Sequence, residues 1–525
     1  MGSRSTNALW SGLFRIAPGN GQTLQSQIRQ AVVGAILNGQ MPESHPLPSC
    51  RTLAKHVGVA RGTVVLAYQQ LVDQGFLIAR ERHGHFVNPE ALPTRPRGHG
   101  LGDEPGADAD VARPDWERIA GRALEGLRTP EKPRDWLNYR YPFVYGQFDP
   151  NLFPTNEWRE CSRMALGVRE IRDWASDWLE HDDPLLIEQI RSRILPRRGV
   201  FAREDEVLVT LGAQNGLFML ASLLIRAGDA VGVENPGYPD ARHIFAMRTE
   251  RVLPVPVDGH GLDPDLIPPE CRIVFATPTN HCPTSATMPP ARCEALLEWA
   301  ERNDGLVIED DYDSQIVDGM SGATTPALKA LDRTGRVIFV GSLSKSLAPG
   351  LRLGFLVADA ALIRQLRHLR RLMLRHPPAN NQRAVATFLS LGHHDALVRR
   401  LGQSIRSKRE TLRAALQTHM PWLDPGGATS GTALWLRGPE GFDADTLVAR
   451  ARERSIIIEP GRVFFSKAGG VPRDAIRMGV TSIEERNIEK GVRLLAEVAD
   501  ELDASRGGWS ERARTSGSIE TAVPQ

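Results

Sequence analysis

No two cysteines of this chain are spaced as CxxC, no apolar run is long enough to cross a bilayer, and neither sign of charge prevails. Each absence excludes something. The five cysteines, Cys50, Cys161, Cys271, Cys282 and Cys293, are odd in number and scattered. That argues against a disulfide framework or a structural metal site, and for a reducing compartment, the cytoplasm. The longest apolar run, LFMLASLLI at 217–225, falls well short of the ~20 residues of a spanning helix, so no membrane partner is expected. The N-terminus, MGSRSTNALWSG, has no charged segment followed by an apolar one, and no secretory signal is expected. No internal repeat is visible. A net charge of +1 predicts no polyanion partner for the chain taken whole. What remains is globular in composition, 41% hydrophobic and 24% charged. At 525 residues it is too long for one ordinary core, so two or more domains are expected.

The balanced charge hides an asymmetry. Residues 1–99 hold ten Arg/Lys and four Asp/Glu, a net +6, which leaves −5 for the rest. A basic first module on a faintly acidic body fits a chain in which only that module meets nucleic acid. Leu24, Ile28, Ala31, Val32, Ala35 and Ile36 recur at helical spacing within 24–38. After the break GQMPESHPLP, Ser49 can cap a short helix with Leu53, Ala54 and Val57 on its apolar face. Gly58 ends it, Val59 fills the turn, and a longer helix begins at about Arg61, which is helix-turn-helix spacing. FLIARERHGHFV (76–87) reads as a hairpin, or wing, with Gly84 allowing its tight turn.

A Pro-, Gly- and Asp-rich stretch follows, and WERIAGRALEGL then reads as a helix entering the next domain. Beyond it, β-prone runs (VLVTLG, AVGVENP, RIVFATP, GLVIEDDY, VIFVGSLS, RLGFLVAD) alternate with helical stretches, the signature of a mostly parallel sheet with helices on both faces. Near 430–480 the pattern changes to that of a small α+β lobe. The expected organisation is a winged helix over 15–88, a linker over 89–135, a body over 136–502 and a disordered tail over 503–525.

Lys345, in VIFVGSLSKS, stands just past a buried-looking strand, where open α/β sheets bind ligands. An ammonium there loses water, and its amine becomes able to attack a carbonyl. Ser342 and Arg352 can hold one phosphate between them, Arg352 as a two-pronged donor. A Schiff-base lysine beside a phosphate clamp suggests pyridoxal 5′-phosphate, PLP. Other parts of the chain meet its further demands. Gly212, Ala213 and Gln214 open a helix after a strand, so backbone N–H groups face an anion. Asp310 or Asp311 can keep the pyridine nitrogen protonated, Tyr312 can reach the phenolic oxygen, and Tyr238 can cover the ring. Taken singly, each has an ordinary reading as a helix start, an acidic strand end or a turn. Together, in this order and each at a strand-to-loop junction, they do not.

On Gly-Ala-Gln (212–214), Asn-Pro-Gly-Tyr (235–238), Asp-Asp-Tyr (310–312), Ser-x-Ser-Lys (342–345) and Gly-Leu-Arg-Leu-Gly (350–354), residues 136–500 resemble a fold type I PLP enzyme of the aminotransferase class. Residues 24–88 are similar to the winged helix of the GntR regulators through LPSxRxLAxxxGVxRxTVxxAYxxLxxxGxLxxxxxxGxFV. Both together resemble the MocR or GabR-like transcription regulators. The fold class implied is α/β: an N-terminal winged helix-turn-helix joined to an aminotransferase-like domain with a mostly parallel sheet and a small α+β C-terminal lobe.

The resemblance implies Lys345 as the internal aldimine, Asp310 as partner of the pyridine nitrogen, and Tyr312 on the phenolic oxygen. It puts Tyr238 on the ring, and Ser342 and Arg352 with the 212–214 amides on the phosphate. Arg477, in AIRMGV, takes the place of the arginine that holds the α-carboxylate. Two departures matter. Thr279-Asn280-His281-Cys282-Pro283 replaces the usual Ser-His-Gln-Phe-Pro, with Asn280 able to reach the cofactor oxygen. Asp240 stands where GABA-sensing members have an arginine, which implies an effector with an added cationic or amide group. On the DNA side, Arg61 and Thr63 would meet base edges or phosphates in the major groove, Arg51 is similar to a GntR residue that contacts DNA, Lys55 would meet a phosphate, and Arg80, Arg82 and His83 the backbone or minor groove. Ala60 stands where the family has a capping Ser or Thr, a loss on the order of 1 kcal/mol.

The function implied is a cytoplasmic, homodimeric, PLP-dependent transcription regulator. It would sense a small amine or amino acid through an external aldimine at Lys345 and bind paired half-sites of a double-stranded DNA operator. It would control genes of that compound's metabolism, such as an ectoine-, taurine- or other amino-acid-type catabolic operon. No metal is expected. The body is then a sensor and not an enzyme, retaining at most a transaminase half-reaction. The alternative is a working aminotransferase that carries a DNA-binding appendage.

Overall fold

Short helices need their ends closed, and in the first of the chain's two units, Met1–Gly121, the closures are local. The computed structural model describes residues 22–38, 40–41, 45–91, 114–120, 127–147, 149–177, 179–321, 325–466 and 470–506. Helix Leu24–Leu37 is followed by Cys50–Val57, whose N-cap Ser49 accepts a hydrogen bond from the Thr52 amide. Gly58 ends that helix in the left-handed region at φ 68°, where a Cβ would be strained. Helix Arg61–Asp73 starts from Ala60, which makes no side-chain cap. Strands Leu77–Arg80 and Gly84–Val87 form the antiparallel wing. Ile28, Val32, Leu53, Val64, Tyr68, Leu71 and Leu77 share the core under these elements, and Tyr68 ties its hydroxyl to the Pro48 carbonyl at 3.1 Å.

The second unit, Arg122–Gln525, is built on an eight-stranded sheet. Its strands are β1 (Val207–Thr210), β2 (Ala230–Asn235), β3 (Val252–Asp258), β4 (Gly261–Leu262), β5 (Cys271–Ala276), β6 (Leu306–Asp311), β7 (Val337–Ser342) and β8 (Gly354–Val357). Their order is β1-β8-β7-β6-β5-β2-β3-β4. From β7 through β3 neighbours run parallel, while β8 is antiparallel to both β7 and β1, and β4 to β3. The sheet is mixed and mostly parallel. Alternate residues feed opposite faces: Val207 and Val209 pack with Val385, Phe388 and Leu389, whereas Leu208 packs with Leu217 and Leu220. Strand β3 is absent from the sequence reading because Pro254 and Pro256 interrupt it. Prolines two residues apart remove donors from one lateral side only, so β3 still pairs with β2 along the other.

A smaller three-stranded sheet follows, with Ala475–Gly479 between Ala433–Arg437 and Glu459–Pro460. Helices Ala444–Glu453 and Ile488–Arg506 share its core. Two boundaries differ from the sequence reading. The last helix continues past 502 to Arg506, and 507–525 lie outside the described residues. The stretch 127–135, read as the end of a linker, packs on the body: His243 Nε2 lies 3.0 Å from the Arg128 carbonyl. Of the rest of the linker reading, 92–113 and 121–126 lie outside the described residues, as do 15–21 of the winged-helix reading. Among the described residues no helix is long and apolar enough to cross a membrane.

Candidate functional site

The parallel strands end on one side of the sheet, and their ends carry the chemistry. β1 leads through Leu211 to Gly212, which caps helix Ala213–Leu224 at φ 81° with no side-chain acceptor on its first amides. A Cβ on Gly212 would stand 2.9 Å from Arg352 Nη2, so only glycine lets that guanidinium lie over the helix start. Arg352 is fixed there by a 3.1 Å hydrogen bond to the Leu211 carbonyl. Ser342 ends β7, and Lys345 lies three residues on. One pocket is lined by Lys345, Asp310, Tyr312, Tyr238, Ser342, Arg352, Ala213 and Gln214 together. Asn280 joins it through Tyr312, donating to its hydroxyl at 3.2 Å and accepting from it at the main-chain carbonyl at 2.9 Å.

Strand alternation decides between the two neighbouring aspartates. Glu309 and Asp311 face one side of β6 and Asp310 the other. Asp311 is taken by the buried Arg198, at 2.9 and 3.3 Å, and by Ser314. Glu309 accepts the Leu328 and Lys329 amides. Asp310 is left facing the pocket, with Oδ1 buried and without a hydrogen-bond partner. Burial, then the Asp311 charge, raises its carboxyl to about 7. A buried acceptor with nothing to accept fits a protonated ring nitrogen, as the open amides beside Arg352 fit a phosphate. The residues present therefore fit PLP. Burial also holds the Lys345 ammonium below its ordinary value, against the pull of Asp313 and Asp310.

Several lining residues were not found from sequence. Tyr145, Cys282, Ser344 and Pro349 border the same pocket. Lys345 Nζ lies 4.8 Å from the Tyr145 ring centroid. Gly146, at φ 67°, has its back to the lysine, since a Cβ there would fall 2.5 Å from Nζ. An aromatic followed by glycine after a β-prone run was the available signal. An adjoining pocket extends from Lys345 past Arg477 to Glu459, Asp240 and Lys132. Arg477 is in the central strand of the small sheet, opposite Glu459, whose carboxylate accepts from its Nε at 2.6 Å. Burial works against the Arg477 charge, and Glu459, with Cys282 and Tyr145, together more than offset it, so the guanidinium is held above its ordinary value. Its carbon lies 4.0 Å from the Tyr145 ring and 4.5 Å from Phe464. Asp240 accepts from Tyr238 and Gln214, both at 3.2 Å.

Behind Asp310, Glu234 binds the Thr277 amide and hydroxyl at 3.0 and 2.6 Å, and His281 Nε2 lies 3.6 Å away. Burial moves the Glu234 carboxyl from its ordinary 4.5 to about 8, and lowers His281 to about 3. An acid whose folded value is raised contributes stability below its unfolded value and loses it as pH climbs through the folded one. The Glu234 contribution is therefore expected to be lost between pH 4.5 and 8, opposed by His281, whose contribution rises with pH up to 6.5, and Glu234→Gln to remove the falling part in thermal unfolding. An unchanged pH slope in the variant would refute the burial effect.

In the first unit, Arg51 and Lys55 are exposed one turn apart on the first helix of the pair, and Arg61 is exposed at the start of the second. Thr63 is half-buried. At the wing tip Arg80, Arg82 and His83 are exposed, Arg82 at φ 64° and Gly84 at φ 96°. The Arg80 guanidinium rests 4.5 Å from the Phe86 ring, which limits its reach. Val65 and Leu66 on helix Arg61–Asp73 are 42% and 57% exposed. These apolar groups, missed from sequence, suit thymine methyls.

Comparison with known proteins finds a family match in each of the two units. Residues 24–87 match the bacterial regulatory proteins of the gntR family, and residues 180–495 match aminotransferase class I and II. The HTH-type transcriptional regulator TauR of Rhodobacter capsulatus is 44% identical over 486 residues, covering 92% of this chain and 98% of that one. The probable rhizopine catabolism regulatory protein MocR of Rhizobium meliloti is 27% identical, over 92% of this chain and 95% of its own. Among solved structures, the α-aminoadipate aminotransferase LysN of Thermus thermophilus, complexed with N-(5′-phosphopyridoxyl)-L-leucine, is 27% identical. It has a TM-score of 0.66 and covers 74% of this chain and 99% of its own.

Proposed function

Since the chain belongs to the MocR/GabR-like subfamily of GntR transcription regulators, and its body to the PLP-binding aminotransferase class, we propose that it senses an amino compound at Lys345 and thereby controls genes of that compound's metabolism. An ectoine-, taurine- or other amino-acid-type catabolic operon would suit. The observation that carries the reading is one chain holding both an exposed basic helix pair and a pocket in which Lys345 faces the partnerless Asp310.

Bound PLP supplies an electrophilic carbon for an amine and a ring that withdraws electrons. The chain's own groups do the rest. Asp310 would hold the proton on the ring nitrogen, Arg352 and the Ala213 helix start would hold the phosphate, and Lys345 would be the amine with which the effector's own amine competes. Burial that holds the Lys345 ammonium below its ordinary value favours the neutral amine, the form that attacks a carbonyl. A sensor must then keep its effector long enough to shift a two-state equilibrium, which takes roughly 5 kcal/mol of differential binding. The effector is therefore expected to change the visible absorbance and the DNA affinity together, with negligible steady transamination. Rapid turnover of ordinary amino acids with 2-oxoglutarate would instead establish the second reading, an aminotransferase with a DNA-binding appendage, which the complete set of Lys345, Asp310 and Tyr312 also suits.

The protein acts as a homodimer in the cytoplasm, reading paired half-sites of a DNA operator. Met164, Leu166, Val168 and Ile171 support the dimer: they are 46%, 58%, 76% and 38% exposed within eight residues, an apolar surface that a second copy would cover. Light scattering should give twice the 57.9 kDa chain mass, and a monomer at micromolar concentration would rule the dimer out.

A further inference from the structure

The adjoining pocket holds more charge than the family's arginine accounts for. Arg477 has its Nε edge committed to Glu459, and the two charges balance. Asp240, which in sequence pointed to a cationic effector, has Oδ2 occupied by Tyr238 and Gln214. Apart from Lys345, the lining cation that forms no ion pair with a described residue is Lys132. It is exposed at the pocket's edge, its Nζ 5.6 Å from the Trp136 ring. Thr129 and Pro130, from the same segment, line the pocket beside it. Partial burial, and then the Lys345 charge, hold the Lys132 ammonium below its ordinary value, with Glu459 pulling the other way. An ammonium at the rim of a pocket, without an ion pair among the described residues, attracts an anion placed in it.

We propose that Lys132 reads the anionic end of the effector, which is an amine carrying an oxyanion a few bonds from its nitrogen. The amine would take the place of Lys345, and the oxyanion would turn outward to Lys132 instead of relying on the Glu459-paired Arg477. The proposal rests on the sensing function above and adds the effector's chemical class to it.

The test uses the full-length, PLP-loaded protein and four amines of similar length: 3-aminopropanoate, 2-aminoethanesulfonate, propylamine and 1,3-diaminopropane. The wild type should respond in absorbance at lower concentration to one or both of the oxyanion-bearing amines than to the other two. The one preferred tells carboxylate from sulfonate. Lys132→Ala should weaken that response about tenfold, which corresponds to 1.4 kcal/mol, and leave propylamine unaffected. Lys132→Arg should restore it. If Lys132→Ala keeps the preference, or if the diamine is preferred, Lys132 is not the reader and the proposal falls while sensing stands. If no amine alters the wild-type absorbance, the sensing function itself fails.

Discussion

Lys345→Ala protein is expected to carry no cofactor that borohydride can fix, and to lose its colour on dialysis. The other contacts to PLP, at Asp310, Arg352 and the Ala213 helix start, remain in the variant and hold the cofactor reversibly. The covalent bond is what disappears, so the loss of fixed mass should be complete, not partial. Intact-mass spectrometry after borohydride reads it directly. A retained mass increment in the variant would move the attachment to another amine and undo the assignment of this pocket. After dialysis the same variant should bind its operator without responding to the effector, since no cofactor remains to take the effector's amine.

The second large effect is expected at Arg61. Its side chain is exposed in the first turn of the helix after the Gly58 turn, the part of a recognition helix that meets base edges. Arg61→Ala should abolish operator retention in a gel shift. Loss of a two-pronged arginine contact costs about 1–3 kcal/mol, and loss of a phosphate contact lowers the salt slope by about one. Arg61→Lys separates the two. Rescue by lysine means a phosphate, because a point charge suffices there; failure of rescue means a base edge read by the planar fork. Unaltered retention in Arg61→Ala would put the DNA surface elsewhere on the chain.

How far the site could be seen in the sequence depended on the range of the interactions that build it. Ser49, Gly58 and the wing turn act on neighbours a few residues away, and the pattern of single residues shows them. Lys345, Ser342 and Arg352 likewise lie within eleven positions. The residues by themselves left Asp310 and Asp311 open and the resemblance chose Asp310; the physical reason is Arg198, more than a hundred residues earlier, which takes the other carboxylate. Glu459 could not be connected with Arg477 without the register that sets the two strands opposite each other. Tyr145 and Gly146 belong to a short segment before the sheet begins, and nothing local says that they lean on a lysine two hundred residues later. β3 was hidden for the opposite reason, since its two prolines are strong local signals against a strand that tertiary pairing overrides.

The segment that brings Arg128 against His243 and Lys132 to the pocket also bears on how this architecture can change length. Between the wing and the body, insertions among residues 92–113 leave every described wall of the pocket in place. One residue added between Arg128 and Lys132 would not, because the Arg128 carbonyl is held by His243 and the extra length would have to displace the lysine. Recombination that pairs this body with another DNA-reading module therefore has its safe crossover upstream of Leu127. A junction at 136, the boundary of the body read from sequence, would exchange the body's own pocket wall for a stranger's.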